Sequence, residues 1–149
     1  MLTMIKGGSK IRILYLHNSS EISGGERSLL NLWKNLDCDR FELFLILPEK
    51  GPLSQEAQKL VLRVSFLKIP KLHIVNGLPL LKVGFQLGWY LVQNNIQIIH
   101  SYSPRNNVLS AIVGRFLGVK VIWHERNLIY GDEKDISLIK TISREIKKF

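Results

Sequence analysis

The stretch IQIIHSYSPRNNVLSAIVGRFLGVKVIW, residues 96–123, contains one complete strand–helix–strand unit. Ile96–His100 is short and rich in branched apolar residues, which is typical of a strand. Ser103-Pro104 then places a capping residue before a proline at the first helical position, and Gly118 ends the helix. Val119–Trp123 follows as a second strand, predicted to be buried. This order predicts a right-handed crossover between two parallel strands.

The same alternation of strands and helices runs through the rest of the chain. Further strands are predicted at Ile11–Leu16, Phe41–Leu47 and Val64–Ile69. Helices are predicted after Ser23, over Leu53–Leu60, over Pro79–Asn94 and over Lys134–Phe149. Strands separated by helices predict an α/β fold, namely a Rossmann-like, doubly wound parallel sheet in the order 3-2-1-4-5.

Two of the predicted helices carry apolar residues at helical spacing. The helix that ends at Gly118 is predicted to bury Val108, Leu109, Ile112, Val113, Phe116 and Leu117. The helix over Pro79–Asn94 is apolar nearly all round and carries Leu80, Leu81, Phe85, Trp89 and Tyr90, with Lys71 and Lys82 nearby. Such a set fits either a peripheral membrane helix or a helix packed into the core, and packing into the core is favoured.

Length and composition limit the class of protein. A chain of 149 residues suits one α/β domain, preceded by a flexible lead-in over residues 1–10. Its one cysteine, Cys38, fits a reducing cytoplasm, and no spacing of His, Cys and carboxylates suggests a metal site. The formal charge of +9 is interpreted first as ordinary surface charge, and the alternative is a face that binds a membrane surface or an anionic substrate. Nucleic acid is not expected, because the basic residues are scattered without interleaved aromatics.

In a doubly wound sheet, ligands bind outside the carboxyl ends of the strands, at the point where the strand order reverses. That rule selects residues from four places before any family is considered. They are His17 and Asn18 after strand 1, the Gly24-Gly25 turn, residues 100–104 after strand 4, and residues 124–127 after strand 5.

Gly24-Gly25 stands where a helix begins, after the capping residue Ser23. Glycines there let an anion approach free backbone amides, and the helix dipole favours negative charge. A flexible turn before a capped helix explains the same residues equally well. Ser23 and Glu26 have the spacing of a capping box, so Glu26 is interpreted as a capping residue. The spacing is not G-x-G-x-x-G, which argues against a dinucleotide site.

His124 is the leading candidate for chemistry. It follows a strand predicted to be buried and stands before Glu125, Arg126 and Asn127, so the cluster is expected at the mouth of the crevice. A histidine that only satisfies loop carbonyls is the alternative. His17 and His100 occupy equivalent strand ends and are weaker candidates, while His73 is interpreted as a bystander in a loop.

Taken together, the order and spacing of three motifs resemble the N-terminal domain of family 4 retaining glycosyltransferases of GT-B architecture. The motifs are Ser23-Gly24-Gly25-Glu26, Ile98-Ile99-His100-Ser101-Tyr102-Ser103 and Val121-Ile122-Trp123-His124-Glu125-Arg126-Asn127. The resemblance covers about Ile11–Phe149. In that family two Rossmann-like domains face each other across a cleft, and the N-terminal one holds mainly the acceptor.

The resemblance implies a role for each matching residue. Gly24 and Gly25 would approach the diphosphate of the donor, and His124 would lie near the transferred sugar as the catalytic residue. The acceptor pocket would be bordered by Asn18, Ser101, Ser103, Arg105 and Arg126. The reaction would retain the anomeric configuration without a metal or other cofactor, and stabilisation of the leaving diphosphate would be the main catalytic contribution.

The resemblance also implies partners beyond this chain. The donor is a nucleotide-sugar, the acceptor a glycan or a lipid-linked molecule, and the family's Glu-x7-Glu motif and basic pair belong to a C-terminal domain with no counterpart here. Because the helix over Lys134–Phe149 has no stop signal, the chain is expected to continue into that domain and to be inactive alone. A cytoplasmic location, peripheral to the inner membrane face, is expected. The alternatives are a nucleotide- or phospholigand-binding module without catalysis, and a basic membrane-associated adaptor.

Overall fold

A computed structural model describes residues 9–70 and 77–124. The strands are β1 (Ile11–Leu16), β2 (Phe41–Leu47), β3 (Arg63–Phe66), β4 (Ile98–Tyr102) and β5 (Lys120–His124). The helices are α1 (Gly24–Asn35), α2 (Pro52–Lys59), α3 (Gly77–Gln93) and α4 (Pro104–Leu117). The strands pair in parallel in the order β3-β2-β1-β4-β5. The predicted doubly wound parallel sheet and its strand order are therefore confirmed.

Strand β4 begins and ends two residues later than predicted. Asn95 has a positive φ of 48°, and the amide of Ile96 donates to the carbonyl of Leu91, so this isoleucine closes the end of α3. Consequently His100 lies inside the strand, and Tyr102 is its last residue. Strand β5 likewise begins and ends one residue later than predicted, so that it ends on His124.

The two faces of the sheet carry separate hydrophobic cores because successive strand residues point to opposite faces. On one face, Ile13, Tyr15 and Leu45 pack with residues of α1 and α2. On the other face, Leu14 and Leu16 pack with residues of α3 and α4. Odd-numbered residues of β1 therefore face α1, and even-numbered residues face α4.

Helix α4 buries only half of the predicted apolar face, since Val108, Leu109 and Val113 are buried as predicted. Ile112, Phe116 and Leu117 are exposed, Phe116 to 84%. Its buried side instead begins with polar residues that bind the sheet: Asn106 donates to the carbonyl of Leu16 at 3.2 Å, and Asn107 accepts from Ser101 at 2.7 Å. The helix turns this way because its polar first turns satisfy backbone and hydroxyl groups at the carboxyl edge.

Strand β5 was predicted to be buried, but it lies at the edge of the sheet, where Ile122 and Trp123 are exposed. The end of α4 nevertheless comes close to it. A Cβ atom added at Gly114 would lie 2.5 Å from a methyl group of Val121, so only glycine fits this crossing.

Helix α3 is half buried, which corrects the prediction that it packs into the core as a whole. Val83, Leu87 and Leu91 are buried, whereas Leu81 and Phe85 are exposed. Among the described residues, no helix is long and apolar enough to cross a membrane. The predicted lead-in up to Gly8, Lys71, His73 and the predicted helix over Lys134–Phe149 lie outside the described residues.

Candidate functional site

Five aromatic and histidine side chains gather at the carboxyl edge of the sheet. Tyr15 is paired with His100 across β1 and β4, and Tyr102 is paired with His124 across β4 and β5. His17 follows β1 two residues after Tyr15. Alternation along each strand therefore puts all five side chains on the α1 face of three neighbouring strands.

The rings of this edge cluster contact one another. His17 stacks on Tyr102 with ring centroids 4.5 Å apart, and Tyr15 lies 5.1 Å from His100. The rings of His100 and His124 are nearly parallel, and Nε2 of His100 lies 3.0 Å from Nδ1 of His124. One proton shared between these two nitrogens fixes the orientation of the His124 ring.

His100 is neutral at physiological pH. Burial lowers the pKa of its imidazole to about 4, and the neighbouring His124 and His17 add to the shift. A neutral ring can either donate to Nδ1 of His124 or accept a hydrogen bond from it. If it accepts, it stabilises a protonated His124, so this pair suits a site where positive charge must develop near an anion.

Glu26 closes the site on the side of α1. It is only 5% exposed, accepts from the backbone amide of Ser23 at 2.9 Å, and lies 3.3 Å from Nε2 of His17. The predicted capping box is thus confirmed. Burial acts to raise the pKa of Glu26, but hydrogen bonds from Ser23 and the backbone, with the charge of His17, outweigh it and lower that pKa. The carboxylate therefore stays ionised and holds His17 in place.

A cavity of about 200 Å³ lies between the edge cluster and the first turns of α1. Helix α1 contributes Gly25, Ser28, Leu29 and Leu32 to its wall, and all five members of the edge cluster line it. Sites for small ligands usually measure about 300–1,000 Å³. This cavity is therefore large enough for part of a ligand, with the remainder extending outward.

The two predicted glycines begin α1 beside this cavity. Gly25 lines it, and Gly24 is exposed next to it. A Cβ atom added at Gly24 would meet no described atom within 4 Å. The space at the helix N-terminus is thus open to a ligand, as the predicted approach of a diphosphate requires.

The residues predicted to border an acceptor differ in burial and in the elements that they contact. Asn18 is exposed in the loop after β1. Ser101 is fully buried on the α4 face, where its hydroxyl donates to Asn107, so its first role is structural. Arg105 donates to the carbonyl of Ile69 at 2.8 Å, so it connects α4 to the residues that follow β3. Arg126 lies outside the described residues.

Ser103 stands out among these residues by its backbone. Its φ of 91° is unusual for any residue except glycine, although it precedes α4 as the capping residue. Its hydroxyl oxygen is buried and makes no hydrogen bond to the described part of the protein. Strained backbone held at such a position is often part of a functional site.

Two members of this site, Tyr15 and Glu26, are absent from the residues selected for it, whereas Tyr102 falls within the selected range 100–104. Tyr15 lines the cavity, and Glu26 lies against His17. Tyr15 had a readable signal, since it lies two residues before His17 and so shares its face. The contact between Glu26 and His17 had no such signal, because it depends on how α1 packs on the sheet.

Larger cavities lie elsewhere, but none of the candidate site residues lines them. One of about 510 Å³ is at the amino ends of the strands, lined by Arg12, Glu42 and Gln97 among others. There Arg12 and Glu42 form an ion pair at 2.8 Å. Within residues 9–70 and 77–124, no group of three His, Cys, Asp or Glu side chains could hold a metal ion.

Comparison with known proteins supports the fold through structure and not through sequence. No protein-family model matches the chain, and no curated protein matches it in sequence. A glycosyltransferase from Rickettsia africae superposes with a TM-score of 0.70 at 18% identity over 88% of this chain and 34% of that one. HepE of Anabaena, solved with UDP, gives 0.69 at 14% identity over 91% and 35%.

A proposed UDP-N-acetylglucosamine 2-epimerase from Listeria monocytogenes has the same fold, with a TM-score of 0.60 at 12% identity over 90% of this chain and 37% of that one. The chain thus spans about a third of the length of these structures. At such low identities the similarity shows a shared Rossmann-like fold, which hosts more than one kind of chemistry.

Proposed function

We propose that this chain is the acceptor-side domain of a nucleotide-sugar-dependent glycosyltransferase of GT-B architecture, similar to family 4. The observation that carries the proposal is the His100–His124 pair, which lines a cavity at the carboxyl edge together with Gly25. This arrangement places a histidine pair that can carry positive charge beside a helix N-terminus that is open to an anion. The structural similarity to a glycosyltransferase and to a UDP-bound protein adds support.

The N-terminus of α1 would receive the donor diphosphate. Gly24 is exposed at the first position of α1 and Gly25 lines the cavity, so no side chain at these two positions separates a ligand from this end of the helix, and the helix dipole stabilises negative charge near it. Glu26 lies in the same turn, but its charge is directed towards His17 and the amide of Ser23. Therefore Glu26 competes less with a bound phosphate than an exposed carboxylate would.

His124 would act at the sugar. In a retaining transfer, an acceptor hydroxyl attacks the anomeric carbon on the face that the diphosphate leaves, and the diphosphate takes the hydroxyl proton. His124, held by His100, would orient the sugar and stabilise the charge on the leaving diphosphate as the bond breaks. No metal or cofactor is needed for this proposed step.

The acceptor, a glycan or a lipid-linked molecule, would approach across the start of α4. Ser103, with its strained backbone and buried hydroxyl, is the residue there best placed to bind an acceptor hydroxyl. Asn18, Arg105 and Arg126 would extend the pocket, and Ser101 would support it from beneath through Asn107.

The remaining part of the site would come from a C-terminal domain of the full-length protein. The cavity holds only part of a ligand, and the chain spans about a third of each structure that it matches. A nucleotide-sugar would be bound between the two domains. We place the protein in the cytoplasm, where nucleotide-sugars are made available to such enzymes.

The test is a turnover assay of the full-length protein. A panel of nucleotide-sugars is incubated with glycan and lipid-linked acceptors, and the anomeric configuration of any product is read by NMR. We expect one donor to be consumed and its sugar to appear on an acceptor with retained configuration. Epimerised nucleotide-sugar without transfer would contradict the proposal in favour of epimerase chemistry, which the Listeria structure makes a real alternative. Tight nucleotide binding with no turnover of any donor would instead indicate a binding module.

A further inference from the structure

His124 lies on the edge strand β5, and two rings of the neighbouring strand β4 contact its imidazole. His100 shares the hydrogen bond already described, with Nε2 3.0 Å from Nδ1 of His124. Tyr102 is paired with His124 in register, and the two ring centroids lie 5.4 Å apart at an angle of 47°. A hydrogen bond constrains one atom of a ring, whereas packing against a second ring constrains its tilt. The orientation of His124 therefore depends on where the Tyr102 ring lies.

Tyr102 is supported on another side by His17. The two rings are stacked, with centroids 4.5 Å apart and planes at 20° to each other. His17 is buried, whereas Tyr102 is only half-buried as the last residue of β4. The buried imidazole is thus the surface on which the more exposed tyrosine ring packs.

A carboxylate of α1 contacts the far side of this stack. Nε2 of His17 lies 3.3 Å from Oε1 of Glu26, and both side chains are almost fully buried. The other ring nitrogen, Nδ1, lies 3.2 Å from the carbonyl oxygen of Ser19 and 3.3 Å from its amide nitrogen. The imidazole is therefore constrained at both nitrogens, and Glu26 provides the constraint that comes from α1.

The two oxygens of Glu26 serve different parts of the molecule. Oε2 accepts from the backbone amide of Ser23 at 2.9 Å and contacts the Ser23 hydroxyl, which completes the cap of α1. Oε1 faces His17. A capping box requires only one acceptor oxygen at this position, and burying a carboxylate is costly. Capping alone therefore does not explain why this carboxylate is buried against an imidazole.

We propose that Glu26 is a positioning residue for His124, and that it acts through the two stacked rings between them. This inference rests on the proposed function, in which His124 acts at the sugar. Reaction rates depend strongly on the placement of reacting groups, since an error of about 1 Å can cost roughly 100-fold. Because Glu26 follows Gly25 in the first turn of α1, it also connects the proposed diphosphate site to the side chain that acts at the sugar.

The first measurement is the turnover of the full-length protein and its Glu26→Ala variant with the same nucleotide-sugar and acceptor. This substitution removes the contact with His17. We expect kcat to fall by about tenfold or more, because the tilt of His124 is no longer fixed. The KM values should change much less, since the displaced ring acts mainly on the transition state.

Glu26→Gln is the conservative variant that separates position from charge. Its carbonyl oxygen can still cap the amide of Ser23, and its amide group can donate to Nε2 of a neutral His17. The carbonyl of Ser19 can accept the proton that then resides on Nδ1. The ring stays in place, so kcat should recover to within about fivefold of the unaltered protein.

Glu42→Ala is the matched control, because it makes the same substitution at the opposite edge of the sheet. Glu42 lies 2.8 Å from Arg12 and 2.7 Å from Arg63, at the amino ends of the strands. Its loss should lower the unfolding midpoint, but kcat should remain that of the unaltered protein. A fall in kcat as large as that of Glu26→Ala would show that lost stability, and not lost positioning, accounts for the effect.

The imidazole nitrogens of His124 provide a readout that requires no turnover. In NMR spectra of nitrogen-labelled full-length protein, their shifts should change in Glu26→Ala and stay close to the unaltered values in Glu26→Gln and Glu42→Ala. Tyr102→Leu removes one of the stacked rings and leaves the cap of α1 intact, so it should move the same shifts. This variant keeps the test independent of the stability of Glu26→Ala.

Three results would overturn the inference. They are unmoved His124 shifts in Glu26→Ala and Tyr102→Leu, equal kcat in Glu26→Ala and Glu42→Ala, and a loss in Glu26→Gln as large as in Glu26→Ala. If the unaltered protein transfers no sugar, the proposed function fails, and the His124 shifts alone decide whether Glu26 positions that ring.

Discussion

Helices α1 and α3 flank the same sheet on opposite faces but use their surfaces differently. Helix α1 buries Leu29, Leu30 and Trp33 along one side and exposes polar residues on the other. Helix α3 buries one apolar side and exposes a second, which we call the α3 stripe and which is formed by Leu78, Leu81, Phe85, Trp89 and Val92. The N-terminus of α1 lies at the cavity, whereas α3 exposes a long apolar side. The comparison separates two surfaces of one small domain, a cavity at the carboxyl edge of the sheet and an apolar side along a helix.

The two sides of α3 can be distinguished by matched truncations. Leu87 is fully buried against the sheet, and Leu81 is exposed in the α3 stripe. We expect Leu87→Ala to lower the free energy of unfolding by about 2–5 kcal/mol, because it leaves a cavity in the core. Leu81→Ala should change it by less than about 0.5 kcal/mol. Urea denaturation of both variants measures the difference, and equal losses would show that the α3 stripe is part of the core.

The N-terminus of α1 can be altered without altering the fold. Gly24→Ala adds one methyl group into open space, and alanine favours helix, so stability should be unchanged or slightly raised. If a diphosphate approaches these amides, the same methyl group should weaken nucleotide binding about tenfold. Isothermal titration of the full-length protein with the nucleotide provides the measurement. Unchanged affinity would place the phosphates elsewhere.

The edge cluster should make stability depend on pH. The folded state protonates His100 near pH 4, while an unfolded histidine protonates near pH 6.5, so the unfolded chain binds more protons between these values. The free energy of unfolding should therefore fall as the pH is lowered from about 6.5 to 4, and this contribution should be constant above pH 6.5. In His100→Gln the decline should be shallower. Chemical denaturation at several pH values tests this, and parallel curves for the two proteins would contradict it.

Much of the fold could be predicted from the sequence. Alternating apolar strands and capped helices were sufficient to predict five parallel strands in the observed order. The errors concern which side of an element is covered. The spacing of Phe116 and Leu117 indicates a helix face but not that polar Asn106 and Asn107 turn towards the sheet instead. Burial of β5 was predicted from apolar composition, which is the same for an edge strand and a central one.

The residues that a local rule selected as a site lie together in the structure. The carboxyl-edge rule selected His17, His100, His124 and Gly25, all of which line one cavity. The rule could not show that two of these histidines share a hydrogen bond, because the bond depends on the register between β4 and β5. Alternation along β4 separates His100 from Ser101, which points to the opposite face.

The central claim, that the edge cluster is the reactive site, is tested most directly at His124. The full-length protein, its His124→Ala variant and a Gln58→Ala control on the exposed side of α2 are compared for kcat/KM with the same nucleotide-sugar and acceptor. Loss of a group that stabilises charge in the transition state should lower kcat/KM by about 100-fold or more in His124→Ala. Gln58→Ala should retain full activity. If His124→Ala turns over as fast as Gln58→Ala, the account of this site is wrong.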